Sequence, residues 1–127
     1  MTPVPALRAC GHAALITAAL LFPAPTAAQV EVTEASVSQL QEWMASGRTT
    51  SAEITAAYLA RIGAYDQAGP RLNAMLRLNP NALAEAEALD RERALKGPRG
   101  PLHGIPVILK DNYDLAGMPT TAGTIGL

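Results

Sequence analysis

Six of the ten glycines and four of the ten prolines in this chain fall between Gly97 and Gly126. Glycine and proline punctuate local structure and mark turns. A long helix across the last quarter of the sequence is therefore excluded. The stretch reads GPRGPLHGIPVILKDNYDLAGMPTTAGTIG, with one short apolar run, Ile105–Leu109, between turn signals. Such a run predicts a buried strand. Pro106 lacks the N–H that a ladder needs, but it lies near the strand's start, where that loss is tolerated. The run ends at Lys110, followed by Asp111 and Asn112. A rigid scaffold that delivers a lysine into a loop-rich region is a common plan for binding and catalytic groups.

A lysine amine taken out of water has its charged form disfavoured, and a neutral amine can accept a proton from a hydroxyl. Lys110 is thus a candidate general base. Its bland alternative is a lysine with its stem packed and its head in solvent. Asp111 and Asp114 bear on the choice, because a carboxylate beside the amine would favour the ammonium, and sequence does not say where either points. A phosphate-binding reading fails, since no P-loop glycine pattern precedes Lys110.

The run GPLHGIPVILKDNYDLAGMPTTAG resembles the N-terminal signature block of the amidase signature family: a glycine-proline turn, a short strand, Lys-Asp-Asn, then a Thr-Thr-Ala-Gly loop. The upstream TSAEITAAYLARIGAYD and LNPNALAEAEALD segments resemble the family's opening helices, so the likeness extends from about Ser36 to the last residue. The resemblance implies an α/β fold, a mixed β-sheet covered by helices, of which residues 36–127 supply an N-terminal, incomplete part. It implies amide hydrolysis or transfer through a Ser–Ser–Lys triad. One serine forms an acyl-enzyme, a second relays the proton, and Lys110 matches the lysine that serves as base. It implies no metal and no organic cofactor. It places the Thr-Thr-Ala-Gly loop near the active site, so that Thr121 or Gly123 could line a substrate pocket.

The family's catalytic serines lie in a Gly/Ser-rich segment downstream of the lysine, whereas Ser36, Ser38, Ser46 and Ser51 are all upstream. The chain is therefore read as the front part of an amidase, expected to be inactive alone and to leave apolar faces uncovered. The competing reading is a truncated, non-catalytic binding or interaction module. The parent's substrate would be a small-molecule or peptide amide.

The remaining sequence sets the context. Residues 1–28 read as a signal peptide. Arg8 precedes an apolar core, Ala13–Phe22, and PAPTAA offers small residues for cleavage after Ala28. Ten apolar residues make about 15 Å of helix, too short for a stable membrane span. Export to the periplasm or medium follows as an expectation. Cys10 is the single cysteine, so the segment after the leader has no thiol for disulfides or a thiolate metal site. Two histidines, His12 and His103, are too few for a histidine-rich metal cluster. Ten basic and eleven acidic residues nearly cancel, which gives no footprint for nucleic acid.

Residues 29–35 are expected to link the leader to three helices. Ser36 and Gln39 have capping-box spacing ahead of a helix to Ser46, with Gly47 as its stop. Thr50 and Glu53 repeat that spacing ahead of a helix to about Tyr65. Leu72, Ala74, Leu76 and Leu78 alternate with Asn73, Met75 and Arg77 and predict a strand. Asn79 is expected to cap a third helix, with Pro80 in its first turn, running to Lys96. Strand, helix, strand is compatible with a parallel crossover. The stripes of these helices, including Trp43, Tyr58 and Tyr65, read as core, and the charges between Glu85 and Arg93 as a solvated face.

Overall fold

Three helices organise the protein in the computed structural model, which describes residues 30–124. They are α1 (Val37–Ala45), α2 (Ser51–Tyr65) and α3 (Ala82–Lys96). The expected leader lies outside the described residues. Both predicted capping boxes form. Ser36 Oγ accepts from Gln39 N at 3.2 Å while Gln39 Oε1 accepts from Ser36 N at 2.9 Å. Thr50 Oγ1 accepts from Glu53 N at 3.1 Å, and Glu53 Oε2 accepts from Thr50 N at 2.9 Å. Each box satisfies helix N–H groups that have no intrahelical partner. Gly47, at φ 72°, stands in the left-handed region just past the C-cap of α1 and lets the chain turn away.

The core is a small cluster of Val32, Leu40, Met44 and Ile54, with Trp43, Tyr58 and Ile105 packed against it. Val32 brings the segment ahead of α1 into this core, and its carbonyl accepts from the Tyr58 hydroxyl at 3.4 Å. Leu40 and Met44 are the buried positions of α1 and Ile54 leads those of α2; Val37 and Tyr65, also expected in the apolar stripes, are exposed. On the outer face of α3 the expected i,i+4 pair forms between Glu87 and Arg91 at 3.9 Å.

Helix α3 packs on α2, with Ala86 as its buried residue. Asp90 of α3 also reaches the first turn of α2. Its Oδ1 accepts from Ser51 N at 2.7 Å and its Oδ2 from Ala52 N at 2.9 Å. A carboxylate here meets both orphan donors and the positive end of the helix dipole. Asp90→Ala is expected to cost about 2 kcal/mol, because hydrogen bonds to charged groups are worth roughly 1.5–3 kcal/mol. Amide exchange at Ser51 and Ala52 in the full-length protein should then speed up about 30-fold. Exchange unchanged at both amides would refute the cross-helix cap.

The third helix begins later than its sequence signal. Asn81, not Asn79, is the cap residue, and its side chain makes no capping bond. Asn79 instead holds the lead-in turn. Its Oδ1 accepts from Asn81 N at 2.9 Å, and its Nδ2 donates to Glu85 Oε2 at 3.0 Å. This is an Asx turn, which an Asn before a proline forms as readily as a cap.

Neither predicted strand forms a ladder. Residues 72–78 and 105–109 are free of strand assignment, and the isolated bridge Leu115–Met118 is the extent of β pairing among the described residues. Alternating apolar residues favour an extended backbone, but a strand exists only through a neighbour that takes its N–H and C=O groups. Arg71 and Asn73 also stand at φ 57° and 50°, left-handed values that break a strand at its start. The apolar side chains consequently face outward: Leu76 is 71% and Ile108 75% exposed.

Candidate active site

The turn from Gly97 to Gly104 is fastened before the chain reaches the lysine. The His103 carbonyl accepts from Gln41 Nε2 at 2.9 Å and from Arg93 Nη2 at 2.8 Å. Arg93 Nη2 also donates to Gln41 Oε1 at 2.7 Å. The buried His103 ring takes Arg99 N–H on Nδ1 at 3.2 Å and places Nε2 2.9 Å from the Leu89 carbonyl. A backbone N–H can only donate, so Nδ1 is the acceptor and Nε2–H the donor. Ser51 Oγ donates to the Gly104 carbonyl at 2.7 Å in a buried bond. His103 is therefore a structural histidine that ties this turn to α3.

From that anchor the chain runs out along Ile105–Leu109, with Ile105 resting on the core, and exposes Lys110. Lys110 borders an open trough of about 680 Å³ whose walls include Met75, Arg77, Tyr113, Met118 and Gly123. The trough lies between the two extended segments that were expected to be strands. None of the four serines lines it. Ser36 caps α1, Ser46 Oγ donates to the Trp43 carbonyl at 3.1 Å, and Ser51 is buried against Gly104.

Asp111, next to the lysine, closes the following loop. Its Oδ1 accepts from Thr121 N at 3.2 Å, its Oδ2 accepts from the Thr121 hydroxyl, and its carbonyl accepts from Ala122 N at 2.9 Å. The Thr121 bonds, side chain first, hold the Asp111 carboxyl below its ordinary range against the opposing effect of desolvation. Asp111 thereby fixes the loop through its side chain. Thr121 turns toward Asp111 and is not among the trough's wall residues; Gly123 is. Thr120 Oγ1 donates to the Tyr113 carbonyl at 3.1 Å and braces the same loop. Among the described residues the Lys110 side chain enters no hydrogen bond or ion pair, while its carbonyl accepts from Tyr113 N at 3.0 Å.

A second carboxylate shapes the far wall. Buried Asp66 accepts from Ala74 N at 2.6 Å, Gln67 Nε2 at 2.6 Å and Met75 N at 3.3 Å. Desolvation acts to raise its pKa, but these donors outweigh it and hold the carboxyl below its ordinary value. A depressed native pKa gives stability that is complete above the unfolded value, near 3.9, and is lost as pH falls through the native value. Both trough-forming loops should therefore loosen only in acid, below about pH 4. Amide protection at Ala74 and Thr121 is the readout; protection constant down to about pH 2 would contradict this.

Gln41 and Asp66 carried no sequence signal for these roles, and Asp90 and Arg93, expected on a solvated face, instead turn inward to α2 and to His103. Gln41 and Arg93 reach His103 from different helices, and the Gln41 contact spans 62 residues.

A lysine delivered by a Gly-Pro turn to an open trough, with a Thr-Thr-Ala-Gly loop latched beside it, is the arrangement that these residues form. Residues 53–127 match the Amidase family profile, and the chain belongs to that family. Among solved structures, the native peptide amidase from Stenotrophomonas maltophilia is 51% identical, with a TM-score of 0.73 over 76% of this chain and 20% of that one. An amidase family protein from Bacillus anthracis is 44% identical, with a TM-score of 0.70 over 74% of this chain and 19% of that one. Among curated sequences, a glutamyl-tRNA(Gln) amidotransferase subunit from Salinispora arenicola is 41% identical over 95 residues, 74% of this chain and 19% of its own length. The chain thus spans about a fifth of the relatives it matches, and its neighbours share the amidase signature fold, here in a portion that is helical with little strand.

Proposed function

We propose that these residues are the N-terminal part of an exported amidase. The whole protein hydrolyses a C–N amide bond by acyl transfer to serine, and Lys110 is its base. What supports this reading is the family match over residues 53–127 together with the place of Lys110 at the rim of an open trough, its neighbouring carboxylate engaged by Thr121; the burial that would make the amine neutral is left to the rest of the protein. The neutral amine takes the relay serine's proton as that serine takes the nucleophile's, and the nucleophile's oxygen bonds to the amide carbon. Collapse of the tetrahedral intermediate breaks the C–N bond, and the departing amine receives the proton. Water then frees the acid by the same route. Both serines lie outside these 127 residues on this reading, so the 127-residue chain alone is inactive. The substrate is a small-molecule or peptide amide; likeness to a peptide amidase favours peptide C-terminal amides. Export rests on the apolar run Ala13–Phe22 followed by small residues.

The test uses the full-length gene product. With a peptide C-terminal amide it should release ammonia, and hydroxylamine added to the reaction should divert the acyl group to a hydroxamate. No ammonia or amine released from peptide, aryl or small aliphatic amides would overturn the assignment.

A further inference from the structure

We propose that Thr121 is a positioning residue that holds the Asp111 carboxylate off the Lys110 amine and so keeps that amine available as a base. The inference rests on the reading of Lys110 given above and adds a second residue to it. Asp111 is adjacent to Lys110 in the chain, and a freed aspartate there is the nearest carboxylate in sequence that could pair with the ammonium. Both Asp111 carboxylate oxygens are occupied, one by Thr121 N and the other by the Thr121 hydroxyl. The Thr121 hydroxyl in turn accepts from Gly123 N at 3.3 Å, which fixes its direction. The Asp111 carbonyl accepts Ala122 N, so main chain and side chain are latched to the same three-residue loop. Ala122 stands at φ 47° and Gly123 at 73°, left-handed residues that fold the loop back so that Ala122 N meets the Asp111 carbonyl and Gly123 N the Thr121 hydroxyl.

The other charged groups around the latch are few. Arg77, on the extended segment across the trough, acts on the Asp111 carboxylate electrostatically. Asp114, on the same loop, is exposed and forms no hydrogen bond or ion pair among the described residues. Neither replaces the Thr121 hydroxyl as a donor to Asp111: Arg77 makes no hydrogen bond to it, and Asp114 is an acceptor when ionised. Loss of that hydroxyl leaves the Asp111 carboxylate with backbone N–H donors alone, from Thr121 and Gly123, and Lys110, adjacent in the chain, is then a cation with protons to give. A carboxylate beside an amine favours the ammonium, which is the form that cannot act as base.

The experiment is a pH profile of kcat/KM for the full-length enzyme. In Thr121→Val the acid limb should move to higher pH by about half to one unit, a roughly 3- to 10-fold loss at a fixed pH on that limb. Thr121→Ser keeps the hydroxyl and should restore the wild-type limb. In an Asp111→Asn background Thr121→Val should no longer move the limb, because the charge it releases is gone. If Thr121→Val does not accumulate as folded enzyme, Thr121→Ala carries the same test. A loss of activity equal at every pH, or an unchanged shift in the Asp111→Asn background, would reduce Thr121 to a loop brace and overturn the proposal. Lys110→Ala in the same assay separates the two readings. If it stays active, the base assignment fails; if it is inactive while the Thr121 variants leave the limb in place, only the role of Thr121 fails.

Discussion

Lys110→Ala in the full-length enzyme is expected to lower kcat/KM by about 10²- to 10⁴-fold, the usual contribution of a positioned general base, with thermal unfolding unchanged. The two halves of that expectation have separate grounds. The catalytic loss follows because no other amine or imidazole borders the trough among the described residues. Retention of the fold follows because Lys110 is exposed and its side chain makes no hydrogen bond or ion pair among the described residues; the carbonyl bond to Tyr113 N survives the substitution. Removing it leaves no buried group unpaired, and surface substitutions of that kind usually change stability by less than about 0.5 kcal/mol. Lys110→Arg sharpens the test. It preserves the positive charge and most of the reach, but a guanidinium is not deprotonated in proteins and cannot take a proton from serine. Equal losses in the two variants would mean that the enzyme needs a base at this position. An active Lys110→Arg enzyme would mean that it needs only a charge, and a near-normal kcat/KM for Lys110→Ala would remove the residue from the mechanism.

What could be read from the sequence divides by the range of the interaction. The capping boxes at Ser36–Gln39 and Thr50–Glu53 were legible because both partners sit within three residues. The start of α3 was misplaced because Asn79 before Pro80 supports an Asx turn and an N-cap equally well from composition. The two strands failed for a non-local reason. The alternation at Leu72–Leu78 and the run Ile105–Leu109 set backbone preference, while pairing depends on neighbours that these residues lack among themselves. The cross-helix cap by Asp90 and the clasp of Gln41 and Arg93 on His103 have no local signal at all. Lys110 was a candidate by position and became a specific one only through resemblance. The direction of Asp111 could not be read, since a carboxylate next to a lysine is as consistent with an ion pair as with the Thr121 latch.

Gly104→Ala is expected to be strongly destabilising, on the order of 3 kcal/mol. Roughly 1–2 kcal/mol comes from placing an L-residue in the left-handed region, and about 1–3 from overpacking. Gly104 stands at φ 77°, and a Cβ there would meet Ser51 Cβ and Oγ at 3.0 Å and Met44 Sδ at 3.4 Å. Ser51 has little freedom to retreat. Its hydroxyl donates to the Gly104 carbonyl, and its N–H is held by Asp90 at the head of α2. The backbone of residue 104 must therefore yield, and it carries Ile105–Leu109 and Lys110 with it. The stability loss should be accompanied by a fall in kcat, because displacement of a catalytic group by about 1 Å can cost on the order of 10²-fold. Gly117 is the control. It has a similar φ of 83° with nothing within 4 Å of its added Cβ, so Gly117→Ala should incur the backbone cost alone, about 1–2 kcal/mol. Thermal or denaturant unfolding of both variants in the full-length enzyme measures the difference. Equal destabilisation by the two would show that the Ser51 contact exerts no constraint, and the fastening of the turn that delivers Lys110 would have to be sought in His103 instead.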